Sequence, residues 1–249
     1  MPGVRRCLPL PLDPIPSDPL SEPHQPQLEP SPFRQRLPWW GPDLQTMRDT
    51  IRSERLPQDL STSLTIDLGG GDALLARLSL PHKDTSQALV VLIHGLGGCA
   101  EGPGICRLAA YLVADGFAVL RINMRGAGAG RPLAPGTYAA LCNRDLLPAL
   151  LQARQLADQL AAGNPSLPLF GVGLSLGGTM LLNAQLEQPL LDGLVCISSP
   201  LDLIQSANQF DRPRNRLYRH WVLRRLRQLT LDDPHGLSPA ERALLCGVK

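Results

Sequence analysis

Gly171-Val172-Gly173-Leu174-Ser175-Leu176-Gly177-Gly178 joins a nucleophilic side chain to a backbone pattern that would present it. Its core, Gly173-Leu174-Ser175-Leu176-Gly177, has the form G-x-S-x-G. The apolar run Leu167–Val172 precedes it and the helix-like run Thr179–Leu186 follows. A strand, a sharp turn and a helix in that order form a nucleophile elbow. The flanking glycines lack Cβ atoms where strand and helix backbones must come close. Ser175 is thereby expected above a sheet, with the Leu176 backbone N–H free to point at a developing oxyanion.

Working outward, Ala88-Leu89-Val90-Val91-Leu92-Ile93 is a continuous apolar, β-branched run, the mark of a strand buried on both faces. It ends in His94-Gly95-Leu96-Gly97-Gly98, which resembles the oxyanion loop of esterases and lipases. The Leu96 N–H is the expected second donor. His94 sits at the end of the strand that carries this loop, so it is read as a structural histidine and not as the general base.

Further strand and helix patterns alternate along the chain. Ser63–Leu68 and Ala73–Leu80, joined by Gly69-Gly70-Gly71-Asp72, predict an antiparallel hairpin. Ile105–Ala114 reads as a helix, Ala118–Asn123 as a strand, Asp145–Leu160 as an amphipathic helix and Gly193–Ile197 as a strand. Repeated β–α units imply a mainly parallel, doubly wound sheet. Gly126-Ala127-Gly128-Ala129-Gly130 invites comparison with a dinucleotide fingerprint, but it follows a later strand and no acidic residue ends the next one. It is read as a flexible rim loop.

Composition bounds the function classes. With 249 residues and a formal net charge of +2, the chain can bury one sizeable core and is not biased toward acidic partners. Arg212, Arg214, Arg216, Arg219, Arg224, Arg225 and Arg227 nevertheless cluster in one segment. The six cysteines have no C-x-x-C or metal-ligand spacing and read as reduced packing residues. Residues 1–42 hold 12 of the 25 prolines, which interrupt both a secretory apolar core and regular structure. No apolar run reaches the roughly 18 residues of a membrane span. The expectation is a cytoplasmic protein whose only membrane contact would be peripheral. The domain reading is an extended arm over 1–32 and one domain over 33–249, with a cap-like helical segment at 201–245. Trp39 and Trp40 are expected to pack on that domain.

Taken together the motifs resemble the YheT-like α/β-hydrolases, a family of carboxylic-ester hydrolases. The resemblance runs from Phe33 to Leu245. It rests on Trp40 through Leu44-Gln45-Thr46, His94-Gly95-Leu96-Gly97-Gly98, Asn123-Met124-Arg125-Gly126, Tyr138 with Asp145, the Ser175 elbow, and Ser199-Pro200 with Asp202-Leu203. It implies an α/β-hydrolase fold, Ser175 as nucleophile, the Leu96 and Leu176 amides as oxyanion donors, a small-molecule or lipid ester as substrate, and neither cofactor, metal nor nucleic acid.

The same resemblance exposes a gap. The family order is Ser…Asp…His, with acid and histidine on later strands. After Ser175 the chain reads as one strand, Gly193–Ile197, then the Arg-rich helix Phe210–Leu229 and Leu237–Leu245. The final strands are expected to be missing. His220 lies in the cap helix, His235 stands too close in sequence to Asp233 for a triad, His24 falls in the arm and His82 follows the hairpin. Three readings follow: a shortened, impaired serine esterase, which is favoured; a non-catalytic hydrolase-like binding or scaffold protein; and a lipid- or nucleic-acid-binding element built on the Arg-rich helix.

Overall fold

A computed structural model describes residues 32–52, 56, 58–82, 85–161 and 166–247. The chain divides into two units, Met1–Arg52 and Ser53–Lys249. Most of the proline-rich arm lies outside the described residues. In the first unit, α1 (Gly41–Ile51) starts with Pro42 in its first turn, where the missing N–H costs no helical bond. Trp40 holds the N-cap in extended backbone and is 61% exposed.

The second unit is a six-stranded sheet with helices on both faces. Its strands are β1 (Thr62–Gly69), β2 (Asp72–Ser79), β3 (Leu89–Ile93), β4 (Ala118–Asn123), β5 (Leu169–Leu174) and β6 (Gly193–Ile197). Their order is β1-β2-β4-β3-β5-β6. β2 is antiparallel to both neighbours, while β4, β3, β5 and β6 pair in parallel. This mixed, mostly parallel sheet is the α/β architecture expected from the alternating pattern. The predicted hairpin is β1–β2, turning at Gly70 and Gly71, which both take positive φ.

The pleat of β3 shows how the layers form. Leu89, Val91 and Ile93 enter a core with α3 (Asn143–Leu160) and α4 (Leu176–Glu187). Val90 and Leu92 face the other way, against Ile105 and Ala109 of α2 (Pro103–Ala114). Each such side chain contributes about 1.5–3 kcal/mol as an upper estimate. On α3, Leu146, Ala149, Leu150, Ala153 and Ala157 are buried, the three-and-four spacing of one helical stripe. From β3 the chain crosses to β4 on one side, then returns past β3 to β5 on the other. The loops after β3 and β5 therefore meet at the switch point beyond the strand ends.

One expectation fails here. Residues 125–131 are no flexible rim loop. Gly128–Leu133 is a 3₁₀ turn packed on β2, and a Cβ on Gly130 would stand 3.0 Å from that of Leu75. The preceding Arg125 is 5% exposed. Its Nε and Nη2 donate to the two oxygens of Asp145 at 2.7 and 2.8 Å, and its Nη1 to Asp72 at 2.5 Å. Those charge-assisted bonds raise the pKa of the guanidinium further and tie the β1–β2 hairpin to α3. The glycine run hid this clamp.

β4 carries a second buried cation. Arg121, 1% exposed, donates through Nη2 to Asp59 and Ser61 at 2.8 Å and through Nη1 to the Ala100 carbonyl at 3.2 Å. Among the described residues Cys99, Cys106, Cys142 and Cys196 are free thiols. None of the described helices is long and apolar enough to cross a membrane.

Beyond β6 the chain is helical: α5 (Leu203–Phe210), α6 (Arg216–Leu231) and α7 (Pro239–Gly247). Asp202 caps α5 by accepting from the Gln205 N–H at 2.8 Å. Ser238 and Glu241 form a reciprocal capping box at the start of α7. Neither α5 nor α6 has a fully buried residue.

Candidate active site

Ser175 stands between β5 and α4 with φ 51 and ψ −122, a conformation that non-glycine residues avoid. Its neighbours hold it there. The Ser175 N–H donates to the Ile197 carbonyl at the end of β6, 2.7 Å away, and the Gly178 N–H donates to the Ser175 carbonyl at 3.0 Å. A Cβ on Gly177 would lie 2.5 Å from the Ile93 carbonyl oxygen, so α4 can approach β3 only through a glycine. The Ser175 side chain is exposed at the strand–helix turn.

The loop after β3 lies against this turn. A Cβ on Gly95 would stand 3.1 Å from that of Ser175. Tyr138 shapes the loop: its hydroxyl donates to the Gly95 carbonyl at 2.9 Å and accepts the Gly97 N–H at 2.8 Å. Burial pushes the Tyr138 hydroxyl up to about 12, which keeps it a proton donor. With the Gly97 and Gly98 amides engaged, the Leu96 and Leu176 N–H groups have no hydrogen-bond partner among the described residues. Both residues line the same cavity as Ser175.

His94 is fully committed below the loop. Its Nε2 accepts the Met124 N–H at 3.2 Å, which leaves Nδ1 to donate to the Gly95 carbonyl at 2.9 Å. Burial lowers its pKa against the opposing effects of the Gly95 carbonyl and Glu101, so the ring is neutral. It packs edge-on against Tyr138, with ring centroids 5.2 Å apart.

The remaining described histidines are elsewhere. His82 and His220 are exposed. His235 is exposed too, and its Nε2 faces the Pro132 carbonyl at 3.2 Å. His24 lies outside the described residues. Among the described residues no histidine or carboxylate bonds to the Ser175 hydroxyl.

A cavity of about 550 Å³ opens over Ser175. Its floor is the elbow and the loop after β3, and its roof is Leu203, Phe210, Tyr218, Trp221, Val222 and Leu226 from α5 and α6. The rings of Phe210 and Tyr218 stack with centroids 6.3 Å apart. Sequence reading placed the arginines and apolar residues of α6 together without sorting them. Trp221, Val222, Arg225 and Leu226 follow a four-residue recurrence, the signal that puts them on one helix face. Tyr138 was read only as a matching position. Its bridging role comes from two contacts more than 40 positions away in sequence, which no local pattern reports.

Several known proteins are similar to this chain. Medium-chain fatty acid ethyl ester synthase/esterase 2 of Saccharomyces cerevisiae is 30% identical over 129 residues, 50% of this chain and 27% of that protein. The chain thus spans about a quarter of the length of this curated relative. Among solved structures, XC6422 from Xanthomonas campestris, described as an a/b serine hydrolase without lid, aligns at TM-score 0.46 and 24% identity over 60% of this chain and 66% of its own. Est1E from Butyrivibrio proteoclasticus, solved with ferulic acid bound, aligns at 0.45 and 24% over 59% and 56%. Residues 84–243, well over half of the chain, match the family described as Serine aminopeptidase, S33, and the chain belongs to that family of α/β hydrolases.

Proposed function

We propose that this chain carries the acyl-transfer site of a serine hydrolase for carboxylic esters, with Ser175 as nucleophile and the Leu96 and Leu176 amides as oxyanion donors. One observation carries the reading: an exposed serine in a φ 51 turn shares a mainly apolar cavity with two backbone N–H groups that have no partner among the described residues. Attack of Ser175 Oγ on an ester carbonyl would place the developing oxyanion beside those donors. Each is typically worth a few kcal/mol in the transition state. The apolar roof suits a lipid or short-chain acyl group, and the yeast relative's name points to fatty acid esters. The finer kinship with YheT-like enzymes rests on the motifs quoted above and belongs to this proposal, as does peripheral contact with membranes.

The proposal includes impaired turnover. The residues described supply nucleophile and oxyanion donors but no base, because the one histidine near the loop is spent on Met124 and Gly95. Disabled triads lose on the order of 10⁴–10⁶ in rate while retaining binding and oxyanion stabilisation. The same absence favours a second reading, a hydrolase-like binding or scaffold protein in which the cavity holds a ligand without cleaving it.

A fluorophosphonate reagent followed by peptide mass spectrometry tests the first reading. Slow modification confined to Ser175, absent in Ser175→Ala, is the expected result. A folded protein labelled at some other residue refutes it. Rapid hydrolysis of p-nitrophenyl butyrate, abolished by Ser175→Ala, would refute the impairment instead.

A further inference from the structure

The α6 arginines are not equivalent. Arg225 lines the Ser175 cavity, whereas Arg224 and Arg227 lie outside its lining. Arg219 also reaches the cavity, but its charge is met by Asp211 at 3.2 Å. Arg225 has no carboxylate partner among the described residues. Its stem lies on the oxyanion loop, where a Cβ on Gly97 would stand 3.2 Å from Arg225 Cγ. Its Nε donates to the Gly97 carbonyl at 3.3 Å, and both Nη groups are left without a partner among the described residues. Two loop residues earlier, Gly95 makes the corresponding approach to Ser175.

We propose that Arg225 makes this pocket selective for amphiphilic esters that carry an anionic oxyacid group, a carboxylate or a phosphate, beside the scissile bond. This inference rests on reading Ser175 as the nucleophile. The charged side chains of the cavity are Asp211, Arg219 and Arg225, so the lining carries one net positive charge against a mainly apolar surface. A guanidinium anchored through Nε presents its Nη donors as a preformed fork, the geometry that suits oxyacids. A residue needed only to prop the Gly97 carbonyl would not require four further N–H donors held over a substrate cavity.

Calorimetric titration of the whole chain with sodium octanoate, octyl phosphate and octanol tests this. The anions should bind about fivefold to tenfold more tightly than octanol, a modest ratio because the guanidinium is at an exposed mouth. In Arg225→Gln that preference should vanish while octanol affinity holds. Arg224→Gln, which removes the same charge from the same helix outside the cavity, should keep it. The carboxylate and phosphate arms show which oxyacid is preferred. Equal affinities in the wild-type chain, or a preference that survives Arg225→Gln, overturn the inference. Fluorophosphonate labelling separates the two readings. A reactive Ser175 with no anion preference refutes the role of Arg225 alone. Anion preference with an unreactive Ser175 upholds Arg225 as an anion receptor and refutes the nucleophile on which the ester class depends.

Discussion

β3 and β6 are parallel strands of five residues in one sheet, Leu-Val-Val-Leu-Ile and Gly-Leu-Val-Cys-Ile, and their fates differ. Every residue of β3 is buried, whereas in β6 Val195 is 54% and Ile197 41% exposed. β3 lies between β4 and β5 with helices over both faces, while β6 pairs only with β5 among the described residues. Burial thus follows rank in the sheet more than composition. The contrast extends to the helices: α3 and α4 bury stripes in the core, and α5 and α6 bury no residue fully. The candidate site joins the two regimes. Its glycine-rich loop leaves the well-packed β3, and the Ser175 N–H is held by the end of β6.

The largest test of this contrast concerns the buried clamp. Arg125→Leu leaves Asp145, 4% exposed, with only the exposed Arg144, 3.7 Å away, to offset its charge. A loss of about 3–5 kcal/mol in urea unfolding is expected, and a loss below about 1 would show the centre to be less tightly built than its packing implies. Val91→Ala and Val195→Ala then compare the strands directly. The first should cost about 2 kcal/mol for two buried methyl groups, and the second should stay within about 0.5 kcal/mol. Similar costs at both positions would break the comparison.

A pH series isolates the base of the loop after β3. The folded His94 pKa lies below its ordinary 6.5, so the unfolded chain takes up a proton that the folded chain refuses. Stability is therefore undiminished above pH 6.5 and should fall as the pH drops below it, by up to about 1.4 kcal/mol per unit. Asp59 and Asp192, whose pKa values are lowered from 3.8, lose their contributions only in a more acidic window. Unfolding midpoints that stay flat between about pH 7 and 5.5 would contradict a buried neutral ring.

The smallest effect carries the opposite sign. Ser175→Gly should raise stability by about 1 kcal/mol, because glycine accepts φ 51 without steric cost. A lowered melting midpoint would mean that the elbow is not strained.

The elbow was legible in the sequence because its chemistry is local. Gly173 and Gly177 bracket Ser175 within five residues, and the geometry follows from which positions can lack a Cβ. β3 was legible as an unbroken apolar run, and the β1–β2 hairpin from its glycine turn. The Arg125 clamp was not, since it depends on Asp72 and Asp145 meeting from separate elements. A glycine-rich stretch around it read as a loop. The fork of Arg225, which has no carboxylate partner among the described residues, was hidden for a related reason: seven arginines share one segment, and only the packing of α6 shows that Arg219 and Arg225 reach the cavity.

The sequence by itself determined the α/β alternation, the Ser175 turn and the glycine-rich loop after β3, because periodicity, β-branched runs and missing Cβ atoms act over a few residues. Only the tertiary structure decided that β3 is buried and β6 largely exposed, that His94 is spent on backbone groups, and that Arg225, alone of the cavity's charges, lacks a counter-ion among the described residues. Each of these depends on which distant segments are adjacent, and burial, hydrogen-bond satisfaction and charge pairing are properties of neighbours in space.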